Sequence, residues 1–266
     1  MRSYLIVNPS SGDGGLDELL AAARERGIET YVLRDGDDLA EIARAADAEA
    51  LAMAGGDGSL AVVAQAALDR DLPFACIPFG TRNHFARDVG LDRDDPIAAL
   101  AALVDGRETR IDVGRANDRL FLNNVSFGVY ARLVHRREHH RRRSDAFARL
   151  RALGTLVTHR HGVGIAVDGE PIEARVVLVS NNAYALDVLS IGERERLDEG
   201  TLHLYLLHGV LRLDWDDRSG ESFTVDARAG HLEAAVDGEP ERLETPVRFQ
   251  IEPQALRVLL PRDPAS

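Results

Sequence analysis

Three short glycine-rich stretches carry residues that could hold a phosphate group. They read VNPSSGDGG, GGDGS and FGTRN, and each comes at the end of a short apolar run. Glycine turns between a strand and a helix present backbone N–H groups to anions. The first stretch also offers the hydroxyls of Ser10 and Ser11, and the third offers Thr81 and Asn83. Phosphate binding is therefore the chemistry that these stretches predict, with ordinary surface loops as the alternative.

Asp57, within GGDGS, puts a carboxylate where an anion is expected. A carboxylate beside a phosphate is repulsive unless a cation or a proton lies between them. Asp57 would therefore face phosphates through Mg²⁺ or act on a hydroxyl proton. The alternative interpretation is that Asp57 only caps the helix that follows it.

The elements around these stretches predict a parallel α/β sheet. Strand-like and helix-like segments alternate over the first 105 residues, and the strands are nearly continuous apolar runs. This pattern is typical of a parallel sheet covered on both faces, whose strands end at one common edge. All three glycine-rich stretches fall at that edge, which predicts a shared ligand site. The last helix, DPIAALAALVDG, begins with Asp95 as N-cap and Pro96 in its first turn.

The second part of the chain predicts antiparallel β structure. Turn signals at Asn117-Asp118, Asp168-Gly169 and Asp237-Gly238 each lie between alternating strands. We therefore expect an α/β domain over residues 1–107 and a mainly antiparallel β domain over residues 108–266.

Composition narrows the class of protein. The formal net charge of −12 over 266 residues argues against a nucleic-acid binder. All 32 basic residues are arginine, so a phosphate clamp would use backbone N–H groups, arginine or metal instead of a P-loop lysine. The one cysteine, Cys76, fits a reducing compartment. Without a secretion signal or a membrane-length apolar run, the expected location is cytoplasmic.

The three stretches, in this order and at this spacing, resemble the diacylglycerol kinase catalytic domain family, which is related to NAD kinases and 6-phosphofructokinases. The resemblance lies in VNPSSG, GGDGSL and PFGTRNHFARDVGL, and it continues through NNVSFGVYARLV, ERLDEGTLHLYLL, VDGEP and PQALRVLLP. It implies an ATP- and Mg²⁺-dependent lipid kinase of phospholipid biosynthesis, with an α/β nucleotide domain and an antiparallel β domain that helps bind lipid. It also allows the last strand to return to the first domain.

The resemblance implies roles for particular residues. Asp237 in VDGE takes the role of general base toward the lipid hydroxyl, and Asp57 is the second catalytic carboxylate. Glu199 in RLDEGT matches a magnesium site, helped by the main chain of Arg196 and Thr201. The residues expected to bind the nucleotide are Asn8, Pro9, Ser10, Ser11, Gly12, Gly55, Gly56, Gly58, Ser59, Thr81, Asn83 and Glu239.

Some positions depart from the family pattern. Arg82 stands where the family often has glycine, His84 where it often has aspartate, and Glu199 where aspartate is more usual. Arg82 could supply positive charge at the sheet edge where phosphate is expected to bind, or it could block the binding of the nucleotide. The pentapeptide VDGEP also occurs twice, so Asp168 competes with Asp237 for the role of base. The position of Asp237 one hairpin before the terminal PQALRVLLP favours Asp237.

Residues 132–160 interrupt the β pattern with a basic segment. Nine arginines against two acidic residues give this segment a charge of +7, and its pattern is typical of a helical insertion. We expect it to dock the protein onto an anionic membrane, on the inner face, where a lipid substrate lies. The alternative is an ordinary surface helix. His135 and His139 are spaced for zinc, but a solvated basic face is the favoured interpretation.

Two other functions stay open at this point. One is an NAD kinase-like enzyme, or another small-molecule kinase, on the same fold. The other is a non-catalytic protein that binds lipid or nucleotide. The oligomeric state is open as well, with a homodimer among the alternatives.

Overall fold

The structure is a computed structural model, and it describes residues 1–12, 14–81, 83–128, 163–174, 176–187, 190–191, 193–208 and 215–262. The basic segment at 132–160 and Arg82 lie outside these described residues. The chain divides into two compact units. Unit 1 comprises Met1–Val113 and Pro253–Ser266, and unit 2 comprises Gly114–Glu252.

Unit 1 is built on a parallel sheet. Its helices are α1 (Leu16–Glu25), α2 (Leu39–Ala45), α3 (Asp57–Asp69), α4 (His84–Asp88), α5 (Pro96–Ala99) and α6 (Ala102–Asp105), and its strands are β1 (Ser3–Val7), β2 (Glu29–Val32), β3 (Ala50–Gly55) and β4 (Phe74–Pro78). The strands lie in the order β2-β1-β3-β4 with every pair parallel. β3 and β4 are buried along their whole length, as continuous apolar strands between helical layers should be. The predicted parallel α/β sheet is confirmed.

The predicted helix after Asp95 is present as two short helices, α5 and α6. The Asp95 side chain accepts the N–H of Ala98 at 2.8 Å, and Pro96 opens α5, as expected for this sequence. The N–H of Leu100 then bonds to the carbonyl of Ile97, three residues back, so the backbone tightens between the two helices. Within the described part of the chain, no helix combines the length and the apolar composition needed to cross a membrane.

Unit 2 is antiparallel β. Two strands are divided between the units, namely β5 (Gly106–Ala116) and β18 (Val247–Pro261). The strands within unit 2 are β6 (Arg119–Phe121), β7 (Asn124–Gly128), β8 (Val163–Val167), β9 (Glu170–Ala174), β10 (Val176–Asn181), β11 (Leu186–Asp187), β12 (Ser190–Ile191), β13 (Leu202–Leu207), β14 (Trp215–Gly220), β15 (Ser222–Ala227), β16 (His231–Val236) and β17 (Glu239–Glu244). One sheet has the order β14-β13-β10-β7-β16-β17, and every pair in it is antiparallel. The predicted antiparallel class is confirmed.

The core of unit 2 is closed by aromatic packing. Phe249 stacks on Phe127 at 6.3 Å between ring centres and meets the edge of Phe121 at 6.4 Å. All three rings are buried, as are the inward-facing aliphatic residues of the neighbouring strands. Pairs of this kind stabilise a core beyond the area that they bury, so these rings contribute to the stability of unit 2.

The three predicted hairpin turns share a positive φ angle and the same pair of hydrogen bonds. Asn117, Asp168 and Asp237 open the turns with positive φ angles of 54°, 50° and 47°, which Asn and Asp tolerate better than most residues. In each turn the residue's own N–H donates to a carbonyl on a neighbouring segment, and its Oδ1 accepts the N–H of that same partner residue. The side chain therefore extends the pairing beyond the end of the strand.

Candidate functional site

The three glycine-rich loops of unit 1 meet at the carboxyl ends of β1, β3 and β4. The Asn8 amide lies 3.4 Å from the Ser59 hydroxyl, which joins the first loop to the second. A Cβ on Gly80 would lie 2.8 Å from the Cα of Gly56, so the second and third loops touch through their backbones. A Cβ on Gly12 would lie 2.8 Å from the ring of Phe79, which joins the first and third loops. The predicted phosphate residues therefore lie side by side at one edge of the sheet.

Asp57 is the first residue of α3, and its carboxylate reaches across to α4. It accepts the N–H of His84 at 3.2 Å and the N–H of Phe85 at 3.1 Å. Gly56 occupies the N-cap position of α3, so the side chain of Asp57 caps α4 and not its own helix. The half-buried carboxylate of Asp57 thus connects the GGDGS loop to the FGTRN loop. These two hydrogen bonds do not use all the lone pairs of the carboxylate oxygens.

Asn83 holds the third loop in shape. Its Oδ1 accepts the N–H of Gly80 at 2.8 Å, and its Nδ2 donates to the carbonyls of Gly80 at 2.8 Å and Arg93 at 3.3 Å. The residue is buried and has a left-handed backbone, with φ at 45°. Thr81, which lies between Gly80 and Asn83 in the chain, is exposed. Of the two polar side chains predicted to contact a nucleotide here, Thr81 is therefore the one presented to solvent, and the amide of Asn83 is engaged by the main chain.

The two VDGEP turns have different surroundings in the structure. Asp168 is exposed, and its Oδ1 accepts the N–H of Thr224 at 2.8 Å. Asp237 is only 8% exposed. Its carboxylate accepts three consecutive backbone N–H groups, those of Leu122 at 2.8 Å, Asn123 at 2.7 Å and Asn124 at 3.1 Å. Such donors stabilise the ionised carboxylate and fix its orientation.

Sequence reasoning missed a buried arginine next to this carboxylate. Arg194 is 3% exposed, and its Nη1 donates to the carbonyls of Leu122 at 2.7 Å and Asn181 at 3.0 Å. Its Nη2 donates to the Oδ1 of Asn123 at 2.7 Å, and its guanidinium lies 5.5 Å from the ring centre of Tyr184. A buried charge needs such a complete set of partners. The local sequence GERERLDEG does not indicate that Arg194, and not Arg196, is the buried arginine.

The RLDEGT turn offers oxygen atoms but no cluster of acids. The Oε2 of Glu199 accepts the N–H of Ala183 at 3.1 Å, and the carboxylate is exposed. The Thr201 hydroxyl donates to the Glu199 carbonyl, and Arg196 pairs with Asp198 at 3.0 Å. Among the described residues there is no group of three His, Cys, Asp or Glu side chains placed to hold a metal. One carboxylate with main-chain carbonyls still suits Mg²⁺, which prefers hard oxygen ligands and keeps several waters.

Two titratable groups in the cores have raised pKa values. Burial, with a smaller contribution from Asp57, holds the pKa of the Cys76 thiol well above its ordinary value. Burial also raises the pKa of Tyr205 to about 12, and its hydroxyl oxygen accepts the N–H of Tyr184 at 2.9 Å. Both side chains are therefore neutral near pH 7, and Cys76 is not a candidate nucleophile.

Comparison with known proteins gives the family. Residues 2–116 match the diacylglycerol kinase catalytic domain. A Pseudomonas aeruginosa protein named "Probable lipid kinase YegS-like" is 32% identical over 279 residues, which cover 94% of this chain and 91% of that protein. The chain therefore belongs to the diacylglycerol kinase family of lipid kinases, and membership of a kinase family implies the use of ATP.

Other relatives are matched over part of their length. A Mycobacterium tuberculosis diacylglycerol kinase (strain ATCC 25618 / H37Rv) is 34% identical over 122 residues, which are 42% of this chain and 40% of that protein. A Bacillus subtilis (strain 168) diacylglycerol kinase is 28% identical over 187 residues, which are 66% of this chain and 59% of that protein. A crystal structure of a diacylglycerol kinase from Bacillus anthracis str. Sterne superposes with a TM-score of 0.71 at 21% identity, covering 99% of this chain and 97% of that one. It has the same fold.

Proposed function

We propose that this protein transfers the γ-phosphoryl group of ATP to a hydroxyl of diacylglycerol or a related lipid, with Mg²⁺. The observation that carries the proposal is the buried carboxylate of Asp237, aimed by three backbone N–H groups. An ionised carboxylate in a fixed orientation is what a general base for a hydroxyl requires. The exposed Asp168 of the second VDGEP turn has one such N–H bond in the structure and is the structural counterpart.

In this reaction the position of the Asp237 carboxylate matters more than its basicity. Phosphoryl transfer passes through a loose transition state, in which positioning and charge stabilisation matter more than covalent chemistry at the protein. The lipid hydroxyl oxygen forms a bond to the γ-phosphorus, the bond from that phosphorus to the bridging oxygen of ADP breaks, and Asp237 takes the hydroxyl proton. The three N–H donors hold the carboxylate in one orientation, which is what a reaction governed by positioning requires.

The phosphates of ATP are assigned to the loop edge of unit 1. A Cβ on Gly56 would meet no described atom within 4 Å, and Ser10 and Thr81, on the two neighbouring loops, are exposed. Glu199, helped by the main chain of Arg196 and Thr201, is the carboxylate that would hold Mg²⁺, which would neutralise phosphate charge when bound. Because the chain has no lysine, the remaining positive charge must come from arginine or from helix N-termini.

We further propose that the protein works at a membrane surface. Diacylglycerol resides in the bilayer, and the basic segment at 132–160 supports attraction to anionic lipid on the cytoplasmic face. We therefore propose a peripheral and not a membrane-spanning enzyme.

A matched pair of variants tests the assignment. Purified protein is incubated with labelled ATP, Mg²⁺ and a short-chain diacylglycerol in mixed micelles, and lipid phosphate is measured. Asp237→Asn should lower kcat by about 10²- to 10⁴-fold, the usual size of a general-base effect. Asp168→Asn, the same change in the same pentapeptide, should leave kcat near that of the parent protein.

Three results would overturn the proposal. Lipid phosphate formation that survives Asp57→Asn and Asp237→Asn together would show that the site is assigned wrongly. Phosphorylation of NAD faster than any lipid in a panel would replace the lipid kinase with an NAD kinase-like enzyme. ATP binding by calorimetry without turnover on any of these acceptors would favour a non-catalytic binding protein.

A further inference from the structure

We propose that Asn182 is a positioning residue that holds the turn at Glu199 in the conformation that binds Mg²⁺. The Oδ1 of Asn182 accepts the N–H of Glu199 at 3.2 Å. The backbone N–H of Asn182 donates to the carbonyl of Thr201 at 3.0 Å. One residue at the end of β10 therefore binds both ends of the turn at 199–201. This inference rests on the proposed function, because it concerns residues assigned there to Mg²⁺.

The hydrogen bonds of the turn orient its oxygen atoms without using all of their lone pairs. The Oε2 of Glu199 accepts the N–H of Ala183 at 3.1 Å, whereas its Oε1 accepts no hydrogen bond from the part of the chain that the structure describes. The carbonyl of Thr201 has two lone pairs, of which the Asn182 N–H uses one. Mg²⁺ demands hard oxygen ligands in near-ideal geometry. A carboxylate and a carbonyl that are oriented in advance meet that demand at less cost.

Asn182 is itself fixed by its surroundings. It has no exposed surface, its carbonyl accepts the hydroxyl of Ser180, and its Nδ2 donates to the Oδ1 of Asn181 at 3.3 Å. Its backbone is left-handed, with φ at 65°, a conformation that Asn adopts more readily than most residues with a side chain. The side chain therefore offers its Oδ1 to Glu199 from a fixed position.

The turn needs such support because Glu199 is exposed. An exposed turn without these bonds would sample several conformations, and metal binding would have to supply the free energy that orders it. Residues that orient metal ligands from outside typically change metal affinity by about 10- to 100-fold. Loss of the Asn182 side chain should have an effect of that size.

The binding test uses Mn²⁺ as the probe, with the full chain and without ATP. Mn²⁺ favours the same oxygen ligands as Mg²⁺, and electron paramagnetic resonance measures its free concentration. Asn182→Gly should raise the Kd for Mn²⁺ by about 10-fold or more, since glycine accepts the left-handed backbone and only the side chain is lost. Asn117→Gly is the matched control, because Asn117 has φ at 54° and its Oδ1 accepts the N–H of Arg248 at 2.9 Å. This control should leave the Kd unchanged.

A double-mutant cycle separates positioning from a general effect on the fold. Glu199→Gln should weaken Mn²⁺ binding, and adding Asn182→Gly should then cause little further loss, because the carboxylate that Asn182 orients is gone. Losses that multiply in the double variant, or an unchanged Kd in Asn182→Gly alone, would overturn the inference. Mn²⁺ binding that Glu199→Gln leaves unchanged would instead overturn the magnesium assignment of the proposed function, so the two failures are distinguishable.

Amide hydrogen exchange in the parent protein gives a readout that needs no variant. If Asn182 holds the turn before metal binds, the Glu199 N–H should exchange slowly in metal-free protein, and Mg²⁺ should slow it little further. Asn182→Gly should speed this exchange while β10 and β13 stay protected. Fast exchange at Glu199 in the metal-free parent protein would overturn the inference, even if Asn182→Gly fails to fold.

Discussion

Gly80 and Gly56 lie at the contact between two loops, and alanine should destabilise the protein at position 80 but not at position 56. A Cβ at position 80 would lie 2.8 Å from the Cα of Gly56 and 2.8 Å from the Oδ1 of Asn83. A Cβ at position 56 would have no neighbour within 4 Å. Gly80→Ala must therefore push two backbones apart, and Gly56→Ala need not move anything.

The size of the effect follows from the contact distance. Ordinary Cβ contacts begin near 3.4 Å, so the loops must separate by roughly 0.6 Å to admit the methyl group of Gly80→Ala. Overpacking of this kind costs about 1–3 kcal/mol of the free energy of unfolding. For Gly56→Ala, the loss of a favourable N-cap residue and the gain from a stiffer unfolded chain are each below about 1 kcal/mol and oppose each other. Its net effect on stability should stay within about 0.5 kcal/mol.

Urea unfolding without ligand, followed by calorimetric titration with ATP, separates the two roles. Gly80→Ala should lower the unfolding midpoint, with an equivalent fall in melting temperature of about 2–4 °C per kcal/mol. Gly56→Ala should keep the midpoint and weaken ATP binding, because its methyl group enters the space assigned to phosphate. Equal stability of the two variants, or undiminished ATP binding by Gly56→Ala, would refute the reasoning about this contact.

Three further outcomes are expected. Because burial raises the pKa of the Cys76 thiol, it should resist a thiol reagent at pH 8 in the native protein and react fully in denaturant, and fast native labelling would contradict this. Arg257, whose Nε lies 2.8 Å from a carboxylate oxygen of Glu108, lowers the pKa of Glu108 from its ordinary value of 4.5. That pair should add stability above pH 4.5 that is lost as the pH falls, so Arg257→Gln should flatten acid unfolding, and an unaltered pH dependence would argue against the pair. Changing the three arginines at 141–143 to glutamine should weaken salt-sensitive binding to anionic vesicles while sparing activity on a short soluble diacylglycerol, and equal loss on both substrates would assign them to the fold or the site.

The features that could be predicted from the sequence are those set by local periodicity and turn chemistry. Continuous apolar runs at β3 and β4 predict buried parallel strands, and the rule that their carboxyl ends share an edge brings Gly56 and Gly80 together. The N-cap role of Asp95 is equally local. The split of the following helix was not foreseen, because an alanine-rich segment such as AALAAL favours a continuous helix and only the bonding pattern around Leu100 shows the tightened turn.

Features that depend on distant partners could not be predicted. Arg194 is one of 32 basic residues, all arginine, and its burial depends on Leu122 and Asn123, some 70 residues earlier in the chain. Asn83 belongs to a loop that resembles a nucleotide-binding motif, yet its amide turns back to Gly80. In both cases the residue type was compatible with several environments, and tertiary packing selected one.

The two VDGEP turns show that the local sequence determines the backbone conformation of an aspartate but not its surroundings. Asp168 and Asp237 have nearly the same backbone, with φ at 50° and 47°, because the same five residues set the same turn. Their surroundings differ because each turn meets a different segment. The turn at Asp168 pairs with Thr224 near the surface, whereas the turn at Asp237 closes over the three N–H groups of residues 122–124. The pentapeptide builds the turn, and the distant segment that it meets decides whether its aspartate is a surface hydrogen-bond acceptor or a buried, oriented carboxylate.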